Sequence, residues 1–417
     1  MADFSYQCSL CSRTYQPNEV MYTCPQDGGN LNVIPDYDAI RAQVSPADIS
    51  ASRDFSLWRY LPLLPVADPD GKGTPLRAVG WTPVFQPPAL AKELDLRRLW
   101  IKDESRNPTA SFKDRASAVV VARAREIGAE VVVTASTGNA GAALAGMAAA
   151  LGRRAVIFAP KTAPPAKVAQ LLVYGAQVIL VDGNYDQAFD LSIQASQNFG
   201  WYCRNTGYNP FTAEGKKTAA LEIWEQVLIP ERSLDRPLTV FVSVGDGNII
   251  SGIHKGFKDL LALGWIETMP RLFAVQAEGS AAVANAIHSG SSTVHPVSAK
   301  TIADSISVDL PRDGLRAVQS VTQTGGECIV VSDNEILSAI AALGRVGIFA
   351  EPAGAAAYAG LARAIDFGQI APEDPVLVMN TGSGLKDTRA AMQAVREAPV
   401  IEPTLPALKS YLQSVSG

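Results

Sequence analysis

A chain of 417 residues, 47% hydrophobic and 18% charged, carries apolar material for more than one core, which excludes disorder and predicts two domains plus an appendage. A net charge of −5 argues against a nucleic-acid surface, and neither a run of about 18 apolar residues nor a basic-then-apolar leader pattern occurs. The expectation is therefore a cytoplasmic protein with no nucleic-acid and no membrane partner.

Three of the five cysteines, Cys8, Cys11 and Cys24, crowd into residues 1–35, with two short β-like runs between turn residues. The pattern CxxC, then CxxD, reads as a zinc ribbon whose fourth thiolate is replaced by Asp27, or as a metal-free remnant, since "DGG" is also a common turn sequence. A secreted disulfide framework does not fit this spacing. The unit is expected to be structural and remote from catalysis. Residues 45–82, rich in Pro, Asp and aromatics, read as irregular connecting structure.

Strand-like and helical stretches then alternate. "RRLWIKDE" predicts a strand, Ser111 to Ile127 a helix, "EVVVTAS" a strand, and Ala140 to Leu151 a helix. "RAVIFAP" and "QVILVD" predict strands followed by helices over Pro165 to Tyr174 and Tyr185 to Phe199. The alternation resumes with "LTVFVSVG", a helix over Ile249 to Leu263, "RLFAVQAEG", an interruption rich in Ser and Thr, "CIVVSDNEI" and "PVLVMNTGSG". This is an α/β pattern with parallel sheet, and two sheets suit the length better than one.

Four polar segments follow strands, where α/β proteins bind ligands. "NPTASFKDRAS" sets Lys113 at a helix start, where the helix dipole disfavours a cation. "TASTGNAG" offers Ser136, Thr137 and backbone amides to a carboxylate or phosphate. "VGDGNIISG" matches neither GxGxxG nor a P-loop, and a compact phosphate at a helix N-terminus fits it better. "VMNTGSGLKD" presents Thr381 and Ser383. A lysine, a phosphate cradle and a carboxylate cradle together suggest pyridoxal 5'-phosphate. His254, His288 and His295 lack catalytic or metal-ligand spacing; Glu351 either lines the ring pocket or caps a helix; Cys203 and Cys328 read as core.

With "EGKKT" and "EPAGAA", these segments occur in the order seen in fold-type II pyridoxal-phosphate enzymes, and from about Gly80 to Ala391 the chain resembles the threonine synthase family most closely. "SFKD" with "TGSGLKD" favours that family over the dehydratases, which usually end in a "GGN"-type segment. The resemblance implies a two-domain, tryptophan synthase beta-like α/β fold: a ribbon-like unit over 1–35, a large domain over 36–115 and 206–400, a small domain over 116–205 and a tail over 401–417. It implies a homodimer and an amino-acid substrate.

It also implies roles. Lys113 would hold the cofactor aldehyde and then serve as acid and base at the substrate Cα and Cβ. Asn139 would bond the phenolic oxygen, Ser136, Thr137 and Gly138 the substrate carboxylate, and Gly245, Asp246, Gly247, Asn248 and Ile249 the cofactor phosphate. Thr381 would face the ring nitrogen, where a neutral hydroxyl leaves the ring a weaker electron sink than an aspartate would. The implied reaction is γ-elimination of phosphate from O-phospho-L-homoserine and water addition to give L-threonine. Related β-replacement and β-elimination chemistries, as in cysteate synthase or serine and threonine dehydratases, share the scaffold, as would a non-catalytic binding protein. One position departs from the family: the "NPxRxEGxKT" arginine that helps bind the substrate phosphate is Thr212 in "NPFTAEGKKT", so Lys216, Lys217, Arg204 or Lys386 must compensate or the substrate differs.

Overall fold

Runs of Val, Ile and Phe bounded by turn residues form strands that are buried on both faces in the middle of each sheet and more open at the edge strands Gln177–Val181 and Val84–Phe85, as parallel sheet covered by helices requires. In a computed structural model, which describes residues 3–231 and 234–415, they build two such sheets. The larger has the order β12-β11-β10-β13-β5-β4, from Cys328–Val331, Arg271–Ala277, Thr239–Ser243, Val376–Asn380, Leu99–Asp103 and Val84–Phe85. All its pairings are parallel except that of the short edge strand β4 with β5. The smaller has the order β8-β7-β6-β9, from Gln177–Val181, Arg154–Pro160, Val131–Ala135 and Tyr202–Cys203, and is wholly parallel.

The chain leaves the large sheet after β5 through the helix Lys113–Glu126, builds β6 to β9, and returns to β10 through the helix Phe211–Ile223. The carboxyl ends of β5, β6, β10 and β13 lead into the four polar segments. Parallel strands bring such ends to one side of a sheet, so this connectivity gathers those segments.

Several expectations are corrected in detail. The N-terminal unit has three strands rather than two: β1 (Phe4–Cys8), β2 (Thr14–Tyr15) and β3 (Leu31–Pro35) form an antiparallel sheet of order β2-β1-β3. "SDNEI" is not strand. Ser332 and Glu335 form a capping box that ends β12 and starts the helix Asp333–Arg345. Residues 45–82 are only partly irregular, because Pro46–Ser50 is helical and the 3₁₀ turn Leu57–Leu63 buries Leu57 and Tyr60 completely. The Ser- and Thr-rich interruption contains the helices Ala282–His288 and Gly314–Thr322. Cys203 and Cys328 are core residues. Among the described residues no helix is long and apolar enough to cross a membrane.

Candidate active site

The turn before Lys113 is built tightly. The Asp114 carboxylate accepts a hydrogen bond from Thr109 N at 2.6 Å and another from the Thr109 hydroxyl, while Ala110 holds a φ of +64°, a conformation few residues with a Cβ adopt. Phe112 N donates to Thr381 O at 2.9 Å, and Ser383 N to Ala110 O at 3.1 Å, which lashes this turn to the end of β13. Behind it, Arg115 is fully buried between Glu104 (2.7 Å) and Glu222 (2.6 Å), with Lys102 also on Glu222 at 2.8 Å. This network fixes the first turn of the helix, and with it Lys113.

Lys113 faces a cavity of about 550 Å³ whose wall also includes Ser136, Thr137, Gly138, Asn139 and Gly245 to Ile249. Among the described residues its amine has neither a hydrogen-bond nor an ion-pair partner. Burial lowers its pKa; the Glu351 carboxylate opposes that shift and Arg204 adds to it. A lowered pKa favours the nucleophilic and basic form of a lysine amine.

The 245–249 loop is shaped for close approach. A Cβ on Gly245 would lie 2.8 Å from Ile306 Cα, and Gly247, at φ +89°, has no room beside Asp313 O. Gly247 caps the 16-residue helix Asn248–Leu263 without a side-chain bond, so the helix-start amides are free to hold an anion. Gly138 likewise caps Asn139–Ala150 without one. The Asp246 carboxyl lies in the first cradle and its pKa is raised by burial, with Lys216 and Lys113 opposing. Lys216 lines the same wall, donating to Asn248 Oδ1 at 2.6 Å, and burial with the neighbouring Lys113 and Arg204 charges drives its pKa well down.

Arg204 is 1% exposed and has no carboxylate partner. Its Nη1 donates to Thr206, which lines the cavity, its Nε donates to Ser117, and its Nη2 has no partner. Lys113 and Lys216 thus present amines to a polar void, and Arg204 stands behind Thr206 on its wall. Buried unpartnered donors beside tight glycine cradles fit a phosphorylated cofactor held by a lysine, together with an anionic substrate.

The remaining expected residues sort as follows. Asn139 Nδ2 donates to Glu351 Oε1 at 2.7 Å and to Ser305 Oγ at 3.3 Å, linking the helix after β6 to that of residues 352–366. Glu351 is an N-cap residue by position but makes no capping bond, and burial pushes its pKa up to about 7. Thr381 is buried one layer back, its hydroxyl 3.5 Å from that of Ser243, which does line the cavity. Ser243 went unnoticed in the sequence, although it immediately precedes "VGDGN". Lys217 is committed to Glu214 and Asp259, away from the void, and Lys386 donates to Gln170 at the rim. Thr212 is fully buried, donates to Asn209 O at 2.7 Å, and is not among the lining residues. His254 is buried within the helix Asn248–Leu263, and burial lowers its pKa to about 4.

Comparison with known proteins places the chain among relatives. Residues 76–382 match the family model described as pyridoxal-phosphate dependent enzyme. The threonine synthase of Methanocaldococcus jannaschii is 38% identical over 98% of this chain and 99% of its own length, and that of Methanosarcina acetivorans 34% over 98% of each. Among solved structures, threonine deaminase isoform 2 from Solanum lycopersicum superposes with a TM-score of 0.65 at 23% identity, covering 82% of this chain and 94% of that one. Diaminopropionate ammonia lyase from Escherichia coli does so with 0.66 at 20%, covering 86% and 96%.

Proposed function

The chain belongs to the pyridoxal-phosphate-dependent enzymes and, within them, to the threonine synthase family, and from that premise we propose that it releases phosphate from O-phospho-L-homoserine and adds water to give L-threonine. The observation that carries the reading is the meeting of Lys113, Lys216 and the two uncapped helix starts in one cavity, with the unpartnered Arg204 Nη2 behind Thr206 on its wall.

Pyridoxal 5'-phosphate, when bound, supplies an electron-withdrawing ring that acidifies the Cα–H of an attached amino acid. Lys113 is the residue we assign to hold it, and its amine, which lines the cavity, takes and returns protons at Cα and Cβ. The amides of 245–249 receive the cofactor phosphate, with Lys216 offsetting the Asp246 carboxyl beside it. Ser136, Thr137 and the amides at Gly138 receive the substrate carboxylate. Asn139, held by Glu351, is the residue we assign to the ring oxygen, and Ser243, with Thr381 behind it, would give the ring nitrogen a neutral hydroxyl partner.

For the substrate phosphate we assign Thr206 and Lys216 on the cavity wall, backed by Arg204, which donates to Thr206 and keeps Nη2 unpartnered, in place of the cation that Thr212 does not supply. Overall, the Cγ–O bond to phosphate breaks, Cγ takes up a proton to become a methyl group, and Cβ gives up a proton and gains the hydroxyl of water, so O-phospho-L-homoserine and water become L-threonine and phosphate.

Five cysteines, none of them in a disulfide, support a reducing, cytoplasmic setting. Exposed Val400, Leu405 and Val415 support a homodimer, which light scattering would check. The functional test is chemical. Borohydride treatment of the yellow holoprotein should fix one cofactor on the peptide that contains Lys113, and Lys113→Ala should lose both the label and turnover. A label on another lysine, or full activity in the variant, would refute the assignment.

A further inference from the structure

The N-terminal sheet holds four chemically matched side chains that the reaction does not use. Cys8, Cys11, Cys24 and Asp27 present ligand atoms that all lie within 4.8 Å of one another. Their backbones repeat. Cys8 N donates to Arg13 O at 2.8 Å and Ser12 N to Cys8 O at 3.1 Å; Cys24 N donates to Gly29 O and Gly28 N to Cys24 O, both at 2.9 Å. Each turn places its next-to-last residue in the left-handed region, Ser12 at φ +60° and Gly28 at φ +72°. Two superimposable turns therefore face each other, and Asp27 stands in the second where Cys11 stands in the first.

Spacing identifies what belongs between them. Metal–ligand bonds of about 2.3 Å to sulfur and about 2.0 Å to oxygen give tetrahedral edges of about 3.8 Å between sulfurs and about 3.5 Å from sulfur to oxygen. Cys11 Sγ and Cys24 Sγ are 3.8 Å apart, and Cys8 Sγ lies 3.3 and 3.6 Å from the Asp27 oxygens. A disulfide would require about 2.05 Å. Outer hydrogen bonds orient the set: Leu10 N to Cys8 Sγ at 3.3 Å, the Tyr15 hydroxyl to Cys24 Sγ at 3.1 Å, and Gly29 N to Asp27 Oδ1 at 2.8 Å. Three thiolates and one carboxylate, four ligands in all, suit zinc over harder divalent ions.

The unit is not remote from the active site, as the sequence had suggested. Asn30, just past the second turn, donates to Arg312 O at 2.9 Å and to Asp313 Oδ1 at 3.0 Å. Asp313 in turn accepts from Asn248 Nδ2 at 2.7 Å, and its N–H donates to Asp246 O at 2.8 Å, which holds the phosphate loop from behind. Arg316 clamps the same carboxylate while donating to Leu31 O and Asn32 Oδ1.

We infer that Cys8, Cys11, Cys24 and Asp27 bind one structural zinc ion, and that the folded turn it fixes positions the 245–249 loop through Asn30 and Asp313. The second half rests on the proposed cofactor site and the first does not, so their failures are distinguishable.

The test is elemental analysis of full-length protein purified without chelator, alongside thiol titration and titration of the apoprotein with pyridoxal 5'-phosphate. One zinc per chain is expected, replaceable by cobalt with thiolate-to-metal absorption. Asp27→Cys should keep that stoichiometry and Asp27→Ala should lose it. Zinc near zero in folded parent protein, with free thiols or a disulfide, overturns the metal site; so does unchanged zinc in Asp27→Ala and Cys11→Ser. Asn30→Ala should keep its zinc and bind the cofactor about tenfold more weakly, the loss of a hydrogen bond to a charged group. Unchanged cofactor affinity in that variant overturns the coupling, provided Lys113 carries the label.

Discussion

The cations of the cavity differ in what they cost the fold. Arg204 has no carboxylate partner, and burial lowers its pKa to about 10, a sign that the folded protein bears an uncompensated desolvation penalty. Arg204→Met should therefore leave the substrate-free protein as stable as the parent or more so, while raising KM for the phosphorylated substrate by about one to two orders of magnitude. Thermal melting and steady-state kinetics, run side by side, check the opposite signs. Glu351 gives a pH signature. Its folded pKa, about 7, lies above the ordinary 4.5, so the native state binds the extra proton between those values, and its contribution to stability is complete below 4.5 and lost as pH rises through 7. The melting temperature of the apoprotein should fall across that window, and Glu351→Gln should flatten the fall, leaving the smaller share of Asp114, raised to about 6 by burial. An equal slope in parent and variant would show that Glu351 does not carry the proton. At this scale Lys113 was legible because its motif is contiguous, whereas Ser243 and Arg204 acquire meaning only from neighbours distant in the chain.

Among the elements, the helices around the small sheet were the most legible, since the Tyr185–Phe199 boundaries follow from the Asn184 and Gln187 capping box and the left-handed Gly200. The helix Phe211–Ile223 was not. All of its residues are buried, including Glu214, Lys216, Lys217 and Glu222, so it shows no apolar stripe against a polar one. Its charges are instead answered across helices, Lys217 by Asp259 and Glu222 by Arg115 and Lys102. Periodicity cannot reveal a core helix whose polar groups find partners far away in sequence. Removing one partner should be severe. Arg115→Met would leave Glu104 and Glu222 short of their counter-charge, with an expected loss of about 3–5 kcal/mol read from urea midpoints. A shift under 1 kcal/mol would show that this network does not hold the Lys113 helix in place.

For the molecule as a whole, the alternation of strands and helices was enough to place four polar segments at strand carboxyl ends, and the connectivity explains why they converge: the chain leaves the large sheet after β5 and re-enters it at β10 beside β13. What alternation could not show was the contact from the N-terminal sheet to the phosphate loop, because Asn30 and Asp313 lie 283 residues apart and no local pattern links them. Substrate choice is likewise proposed to be a property of the assembled cavity, where Thr206 and Lys216 line the wall and Arg204 donates to Thr206 from behind it. The most direct measurement is a side-by-side assay of phosphate release and amino-acid product from O-phospho-L-homoserine, O-phospho-L-serine, L-serine and L-threonine. The account predicts L-threonine and phosphate in equal amounts from the first substrate, with turnover of the others far lower. Activity confined to phosphoserine or to the unphosphorylated amino acids would contradict it.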